Sequence, residues 1–265
     1  MKRHPLSLFF IAAFVIPWFV WGTTIAQNFG LIGWHIPQPL AFWLGLPLAT
    51  YGTAAITGGW PAVKDLLLRL IRVKVNVSWY LLALGLPAAL AAFTVGVGMM
   101  IGTPSQAGVL VPAGAVAVML LLNVWEWLLT EETSWRGYAL PRLQRLSNPL
   151  IASLILGVFW GVWHLPLFLI PGTFQNGIPF VGFFASTLAT SVLLGWLFNR
   201  ARGSVLIAAL FHGCTDVAIA FSGVMTSGLV LFWTAVAVQV LIAVACAPDL
   251  ARLDRQAPEL PSAIA

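Results

Sequence analysis

Charged side chains are scarce in this chain. They make up 8% of its 265 residues, whereas a typical soluble domain carries about 25%. Residues 4–63, 75–125 and 146–199 contain no Asp, Glu, Lys or Arg at all. Each stretch can supply at least one membrane-spanning helix, because a span needs about 20 apolar residues. The scarcity of charge therefore excludes an ordinary soluble domain and indicates a polytopic membrane protein.

Other features are missing too. The apolar runs lack the alternating pattern of β-barrel strands and are too long for strands, which leaves an all-α transmembrane helix bundle. Only two cysteines are present, Cys214 and Cys246, and both fall inside predicted helices. Packing therefore explains them better than a disulfide. Because the sequence shows no internal repeat, low-complexity tract or soluble segment, residues 1–265 are predicted to form a single membrane domain.

Gly, Pro, Asn and the charged clusters divide the apolar sequence into eight predicted spans. The first is predicted to be an uncleaved span, because its apolar segment is too long for a signal peptide. The fourth is predicted to continue as a helix to about residue 139. The spans lie near residues 6–26, 38–59, 78–101, 110–130, 150–170, 178–199, 203–222 and 225–247.

All 13 Lys and Arg residues fall on one side of such an eight-span bundle. They occur in the N-terminal tail, the 60–77 connection, the 131–148 region, the 200–202 turn and the C-terminal tail. The positive-inside rule then predicts that both termini are cytoplasmic. The net charge of +5 reflects this topology and anionic headgroups, so membrane lipid is a predicted partner and nucleic acid is not.

The 60–77 connection mixes apolar and charged residues at helical spacing. Leu66 and Leu70 recur among Lys64, Asp65 and Arg69, which favours a short helix on the cytoplasmic membrane surface. The alternative is a plain basic loop.

Two adjacent carboxylates, Glu131 and Glu132, stand at the end of an apolar run in a chain with only eight acidic residues. Ionisable groups at membrane depth are costly, usually paired and often functional. Arg136 follows Glu132 at i,i+4 spacing, so it can neutralise that carboxylate from the same helix face. A simple ion pair at a helix end explains Glu132, but it does not explain Glu131.

Two further pairs share the i,i+4 spacing. Trp160 and His164 form one, on a helix whose Gly157 and Gly161 allow close approach of a neighbour. A lone intramembrane histidine can also be a hydrogen-bonded packing residue. His212 and Asp216 form the other pair. An aspartate in a span with no basic neighbour in sequence needs a partner from another helix, a metal ion or a proton.

Rough helix depths allow these groups to meet in the cytoplasmic half of the bilayer, around a cavity open to the cytoplasm. Two histidines with carboxylates suit Zn²⁺, and a nearby glutamate can act as general base on a water. The sequence contains neither HExxH nor GxSxG, so it offers no support for a soluble zincin or for a serine hydrolase of that type.

The three motifs in this order resemble those of the CPBP intramembrane proteases. These are Glu131-Glu132-x-x-x-Arg136-Gly137, then Trp160-x-x-x-His164, then His212-x-x-x-Asp216. The family contains the type II CAAX prenyl endopeptidases and bacterial bacteriocin-processing and self-immunity proteins. The resemblance covers residues 120–220, which would form the catalytic core.

The resemblance implies a role for each of these residues. Glu131 would activate water with His164, while His212 and Asp216 would bind metal or stabilise the oxyanion. Glu132, Arg136 and Trp160 would support the site. Many family members carry Asn at the position of Asp216. An ionised Asp cannot donate a hydrogen bond to an oxyanion. Aspartate at position 216 therefore indicates either a metal ligand or a carboxyl group that stays protonated. The predicted Zn²⁺ ligands are His164, His212 and Asp216.

The sequence therefore predicts an intramembrane endopeptidase, with a metal as its expected cofactor, in a bacterial cytoplasmic membrane. Its expected substrate is a membrane-associated peptide or lipidated protein, of the prenylated CAAX type or a leader peptide. The alternative is a non-proteolytic transporter, or an immunity or scaffold protein that retains the fold. Intramembrane Glu and His residues also serve proton relays, but the sequence lacks the inverted repeats of many transporters.

Overall fold

A computed structural model describes residues 4–105 and 113–253 of the chain. Within these residues the protein is all helical and has no strand, which confirms the predicted fold class. The α-helices in this part of the chain are α1 (Pro5–Asn28), α2 (Leu46–Leu70), α3 (Val77–Met100), α4 (Ala113–Leu129), α5 (Leu140–Gln144), α6 (Pro149–Trp163), α7 (Phe180–Arg200), α8 (Val205–Ser222) and α9 (Leu229–Arg252). Helix α5 is a single short turn, and the others are long.

Shorter helical turns join or extend these elements. A π-helical turn, Ala41–Gly45, leads into α2, and a π-helix, Thr133–Ala139, precedes α5. Two 3₁₀ turns, Leu165–Leu169 and Gln175–Gly177, lie between α6 and α7.

Helix is present at all eight predicted spans. Among the residues that the structure describes, seven segments are long and apolar enough to cross a membrane, including Gly114–Gln144, which runs through the π-helix. Helix α2 is outside this set, because its Gly, Thr, Pro and charged residues lower its mean hydropathy. The predicted start of the fourth span at residue 110, Lys2 and Arg3 of the N-terminal tail, and Arg255 of the C-terminal tail lie outside the described residues. The end of the bundle that faces the cytoplasm stays a prediction.

Helix α2 bends at Gly59, whose φ of 62° is in the left-handed region that favours glycine. Beyond the bend it continues through the predicted surface helix to Leu70. Its inner face carries a buried ion pair, with Arg69 Nε 2.8 Å from Asp65 Oδ2, while Ile71 is exposed. The segment is therefore helical over 60–70, and its position on the membrane surface stays a prediction.

Helices α6 and α7 approach each other closely. A Cβ added to Gly161 would lie 2.6 Å from Cδ2 of Phe184, and one added to Gly157 would lie 2.9 Å from Cβ of Ser191. Side chains cannot approach this closely, so both positions need glycine, as their four-residue spacing predicts.

The end of α6 is also fixed to α1, because Trp163 Nε1 donates to the Ala13 carbonyl at 2.8 Å. His164 follows directly after this fixed point.

Candidate active site

The two adjacent glutamates sit where the α-helix widens into a π-helix. Helix α4 ends at Leu129, and the π-helix begins at Thr133, whose hydroxyl donates to the carbonyl of Leu128, five residues earlier. Every residue of the π-helix is buried. Isolated π turns often occur at functional sites, where they change which side chains face inward. The sequence predicted helix to residue 139 but gave no sign of this wide turn.

Glu132 is bound from two sides. Arg136 Nη1 lies 3.0 Å from Glu132 Oε1, as the i,i+4 spacing predicted. His212 Nδ1 lies 2.9 Å from the same oxygen. All three side chains are buried. Because a carboxylate oxygen accepts, His212 donates its Nδ1–H here and presents Nε2 in the opposite direction.

Glu131 is held by two tryptophans. Trp160 Nε1 donates to Glu131 Oε2 at 2.5 Å, and Trp135 Nε1 donates to the same oxygen at 3.2 Å. The other oxygen, Oε1, lies 4.0 Å from His164 Nε2. One carboxylate oxygen is thus fixed by indole donors, and the second is directed towards the imidazole. Trp160 therefore contacts Glu131 through its side chain, a partnership that sequence spacing did not suggest.

His164 has a defined orientation. It caps the end of α6, and its Nδ1 lies 2.8 Å from the carbonyl oxygen of Trp160. A carbonyl can only accept, so Nδ1 carries the proton and the neutral ring presents the Nε2 lone pair. Trp163 packs edge-on against the ring, with centroids 4.9 Å apart. His164 is therefore placed as a hydrogen-bond acceptor beside Glu131 Oε1.

Asp216 lies at the outer edge of the group. Its Oδ2 is 3.8 Å from His212 Nε2, and its side chain is 37% exposed. Trp127, which the sequence analysis missed, stacks on the His212 ring with centroids 4.8 Å apart and planes within 10°. It lies four residues before Glu131 on the same span, and this spacing is the signal that could have identified it.

The predicted residues meet around one cavity of about 420 Å³. Glu131, Trp160, His164, His212 and Asp216 line it directly. Glu132 and Arg136 do not line it and instead lie behind His212 and Trp160, with Arg136 Cζ 4.5 Å from the Trp160 ring centroid. The rest of the wall is largely apolar, and its polar members, missed in the sequence, include Ser186, Thr187, Thr190 and Gln239.

The cavity lies in the half of the bundle away from the basic connections. Its lining includes Phe174 and Gln175 from the α6–α7 connection, and Met225 and Thr226 from the α8–α9 connection. Neither connection contains Lys or Arg. No lining residue that the structure describes comes from the basic 60–77 or 200–202 segments. The expectation of a cavity open towards the basic side was therefore wrong, because α6 carries His164 at its far end.

Cysteine labelling tests this placement. In a background with Cys214 and Cys246 replaced by alanine, Gln175→Cys on the cavity side is compared with Lys74→Cys in the basic connection. We expect a membrane-impermeant maleimide added to intact cells to label Gln175→Cys, and to label Lys74→Cys only after permeabilisation. Labelling of both variants from the same side would contradict the assignment of the cavity to the end opposite the basic connections.

The histidines and carboxylates do not converge on one point as a metal site requires. Tetrahedral zinc ligands at ~2.0–2.1 Å from the ion lie roughly 3.3 Å apart. The two pairs that line the cavity are wider, with His212 Nε2 3.8 Å from Asp216 Oδ2 and His164 Nε2 4.0 Å from Glu131 Oε1. Within the described residues, no group of three or more His, Cys, Asp and Glu side chains could hold an ion. The arrangement does not fit a bound ion, and Zn²⁺ at His164, His212 and Asp216 stays a prediction.

Comparison with known proteins agrees with this geometry. Residues 112–218 match the family model described as type II CAAX prenyl endopeptidase Rce1-like, and every predicted site residue lies within them. CAAX prenyl protease 2 of Methanococcus maripaludis is 34% identical over 88 residues, which cover 31% of this chain and 32% of that protein. The aligned part thus spans about a third of the relative's length. Residues 112–218 are thus similar to this endopeptidase family, in agreement with the motif resemblance.

Proposed function

We propose that this integral membrane protein is an intramembrane endopeptidase of a bacterial cytoplasmic membrane. One observation carries the proposal. Glu131 Oε1 and His164 Nε2 face each other at 4.0 Å on the wall of an intramembrane cavity. Each group is held from behind by its own hydrogen bonds. A carboxylate and an imidazole acceptor held in this way suit the activation of a water molecule.

The separation of the two acceptors suits one shared water. Two acceptors that each lie about 2.8 Å from the same water are roughly 4.0 Å apart when the angle at the water is near 90°. In the proposed first step, Glu131 Oε1 takes a proton from this water while His164 Nε2 accepts its second hydrogen bond. The water oxygen then forms a bond to the carbonyl carbon of the scissile peptide, whose oxygen becomes an oxyanion.

His212 is placed to stabilise that oxyanion. Its Nδ1–H is bound to Glu132, and its Nε2 faces the cavity beside Asp216. With a proton on Nε2, the ring donates a hydrogen bond to the developing negative charge, and the carboxylates of Glu132 and Asp216 balance the resulting imidazolium. Asp216 acts here through His212, which removes the difficulty that an ionised aspartate cannot itself donate a hydrogen bond.

The second step returns the proton. Glu131 gives the proton taken from water to the peptide nitrogen as the carbon–nitrogen bond breaks. The products are a new carboxyl terminus and a free amine, and Glu131 is ionised again. Every atom of the water is accounted for, so no covalent enzyme intermediate is needed.

The walls of the cavity suggest an apolar substrate segment. Phe42, Phe174, Phe183, Ile219 and Met225 surround the polar groups, and such walls suit a lipid-modified or apolar peptide. The name of the archaeal relative adds a specific class, the prenylated CAAX peptide. We therefore propose prenylated CAAX-type peptides as the first substrate class and apolar leader peptides as the second.

A cleavage assay with purified protein in detergent tests the activity. Farnesylated CAAX peptide and an apolar leader peptide are incubated with wild-type protein, and products are identified by mass spectrometry. We expect His164→Ala and His212→Ala to lower the rate by at least about 100-fold each, because His164 positions the water and His212 stabilises the oxyanion. Asp249→Asn is the matched control, because its carboxylate is bound to Arg200 and Trp196, outside the cavity.

The outcomes separate the two functional classes. Retention of full activity in both histidine variants would exclude the proposed site. Absence of cleavage of either peptide by a folded wild-type protein would favour a non-proteolytic binding or scaffold role for this fold.

Metal dependence needs a separate measurement. If the predicted Zn²⁺ is present, plasma mass spectrometry of the purified protein should find about one equivalent, and His212→Ala should lower that content. Chelator treatment should then abolish cleavage, and Zn²⁺ should restore it. Full cleavage by protein shown to be free of bound metal would contradict the zinc prediction and would leave the Glu131–His164 water step intact.

A further inference from the structure

A second cavity lies at the opposite, basic end of the bundle. Its volume is about 450 Å³, within the range of about 300–1,000 Å³ typical of small-molecule sites. Its wall includes His4 and Ser7 from the start of α1, Thr57 from the region of the α2 bend, and Arg142 and Arg145 from the end of the fourth span. Three separate parts of the fold thus contribute to it, and none belongs to the active site.

The guanidinium group of Arg142 is fixed in place at this cavity. Its Nη1 donates to the Tyr138 carbonyl at 2.8 Å, and its Cζ lies 3.6 Å from the centroid of the Tyr138 ring. These contacts use one N–H group of Arg142 and fix the orientation of its guanidinium plane. A guanidinium group held in this way can offer its other N–H groups to a ligand with little further loss of entropy.

In the described part of the chain, no carboxylate forms an ion pair with the arginines of this cavity. Within the described residues, neither Arg142 nor Arg145 has an Asp or Glu oxygen within 4.0 Å. The carboxylate of Asp65, on α2 beyond the bend, is already paired with Arg69 at 2.8 Å. Arg142 and Arg145 therefore form a positively charged concave wall that suits an anion. The planar guanidinium group of arginine can donate two parallel hydrogen bonds to the oxygens of a phosphate.

The depth of the cavity identifies the source of that phosphate. Pro5 is the first residue of α1, and Gln144 is the last residue of the apolar segment Gly114–Gln144. The cavity therefore lies where two apolar segments end, which is the level of lipid headgroups. Leu146, on its wall, is 74% exposed and can lie against an acyl chain.

We propose that this cavity binds the phosphate of an anionic phospholipid, with Arg142 and Arg145 as its ligands. The bound lipid would join the start of α1 to the end of the fourth span, and α1 also holds the end of α6 beside His164. The proposal concerns binding alone and does not depend on the proteolytic activity.

Lipid titration of the purified full-length protein in detergent tests the site. Dioleoylphosphatidylglycerol, dioleoylphosphatidylcholine and inorganic phosphate are added separately, and bound lipid is counted by native mass spectrometry. We expect phosphatidylglycerol to bind at least about tenfold more tightly than phosphatidylcholine and to raise the unfolding temperature as its concentration increases. Inorganic phosphate should compete only weakly. Displacement of the lipid by low-millimolar phosphate would overturn the lipid assignment and indicate a site for free phosphate.

Variants locate the binding. Arg145→Gln, at an exposed position, should weaken phosphatidylglycerol binding at least about fivefold without a change in fold. Arg142→Gln should weaken it further, while Arg142→Lys should recover part of the loss. Lys74→Gln is the matched control, because Lys74 is an exposed cation in another basic connection, outside the cavity. Equal loss in Lys74→Gln and Arg145→Gln would overturn the proposal, since binding would then reflect general surface charge.

Discussion

Replacement of Glu131 by glutamine is expected to lower the rate of peptide cleavage by about 10³-fold, within the range for loss of a general base. Glutamine keeps the shape of the side chain and can still accept from Trp160 and Trp135 through its amide oxygen. It cannot take a proton from the water that we place between Oε1 and His164 Nε2. The measurement is kcat for the farnesylated peptide, with KM determined in parallel.

The split between kcat and KM distinguishes a base from a binding residue. We expect KM to change by less than about threefold, because the substrate contacts the cavity mainly through its apolar walls. Thermal unfolding of Glu131→Gln serves as the control for folding. A variant that folds normally and keeps more than a tenth of the wild-type kcat would show that Glu131 is not the base.

Replacement of Arg136 by methionine is expected to destabilise the protein by about 3–5 kcal/mol. Removal of one member of a buried ion pair is strongly destabilising, and Glu132 would keep only its bond from His212. Glu132 is fully buried, and Arg136 and His212 are the two described residues bound to it. Unfolding in mixed detergent micelles measures the loss.

Two controls make this result specific. Arg200→Met breaks an ion pair with Asp249 whose side chains are 39% and 41% exposed, and should cost no more than about 1 kcal/mol. The double variant Glu132→Gln with Arg136→Met removes both charges and should recover at least half of the loss. Equal destabilisation by Arg136→Met and Arg200→Met would contradict the electrostatic explanation and indicate loss of packing alone.

Local properties of the sequence were sufficient for most of the fold. Helices in a membrane are set by the length and composition of apolar runs, and the bounds of α1, α3 and α7 agree with the predicted spans within a few residues. The Glu132–Arg136 contact was predictable for the same reason, because i,i+4 neighbours on one helix meet whatever surrounds them. The match of residues 112–218 to the family model rests on the same motifs.

Contacts between helices were less predictable. The bond from Trp160 to Glu131 joins residues 29 apart in sequence, and the bond from His212 to Glu132 joins residues 80 apart. Apolar residues surround every face of these helices, so hydrophobic periodicity does not show which face turns inward. The π-helix adds a local change of rotation that the pattern of residues gave no reason to expect.

The class of the protein, its helices and the residues that form the polar group follow from local sequence, because membrane insertion and i,i+4 pairing depend on neighbouring residues alone. How those residues are used depends on the tertiary structure. It directs Glu131 Oε1 and His164 Nε2 towards each other, places Glu132 behind His212, and puts the cavity at the end opposite the basic connections. These features depend on the rotation and depth of packed helices, which are fixed by contacts between residues far apart in the chain.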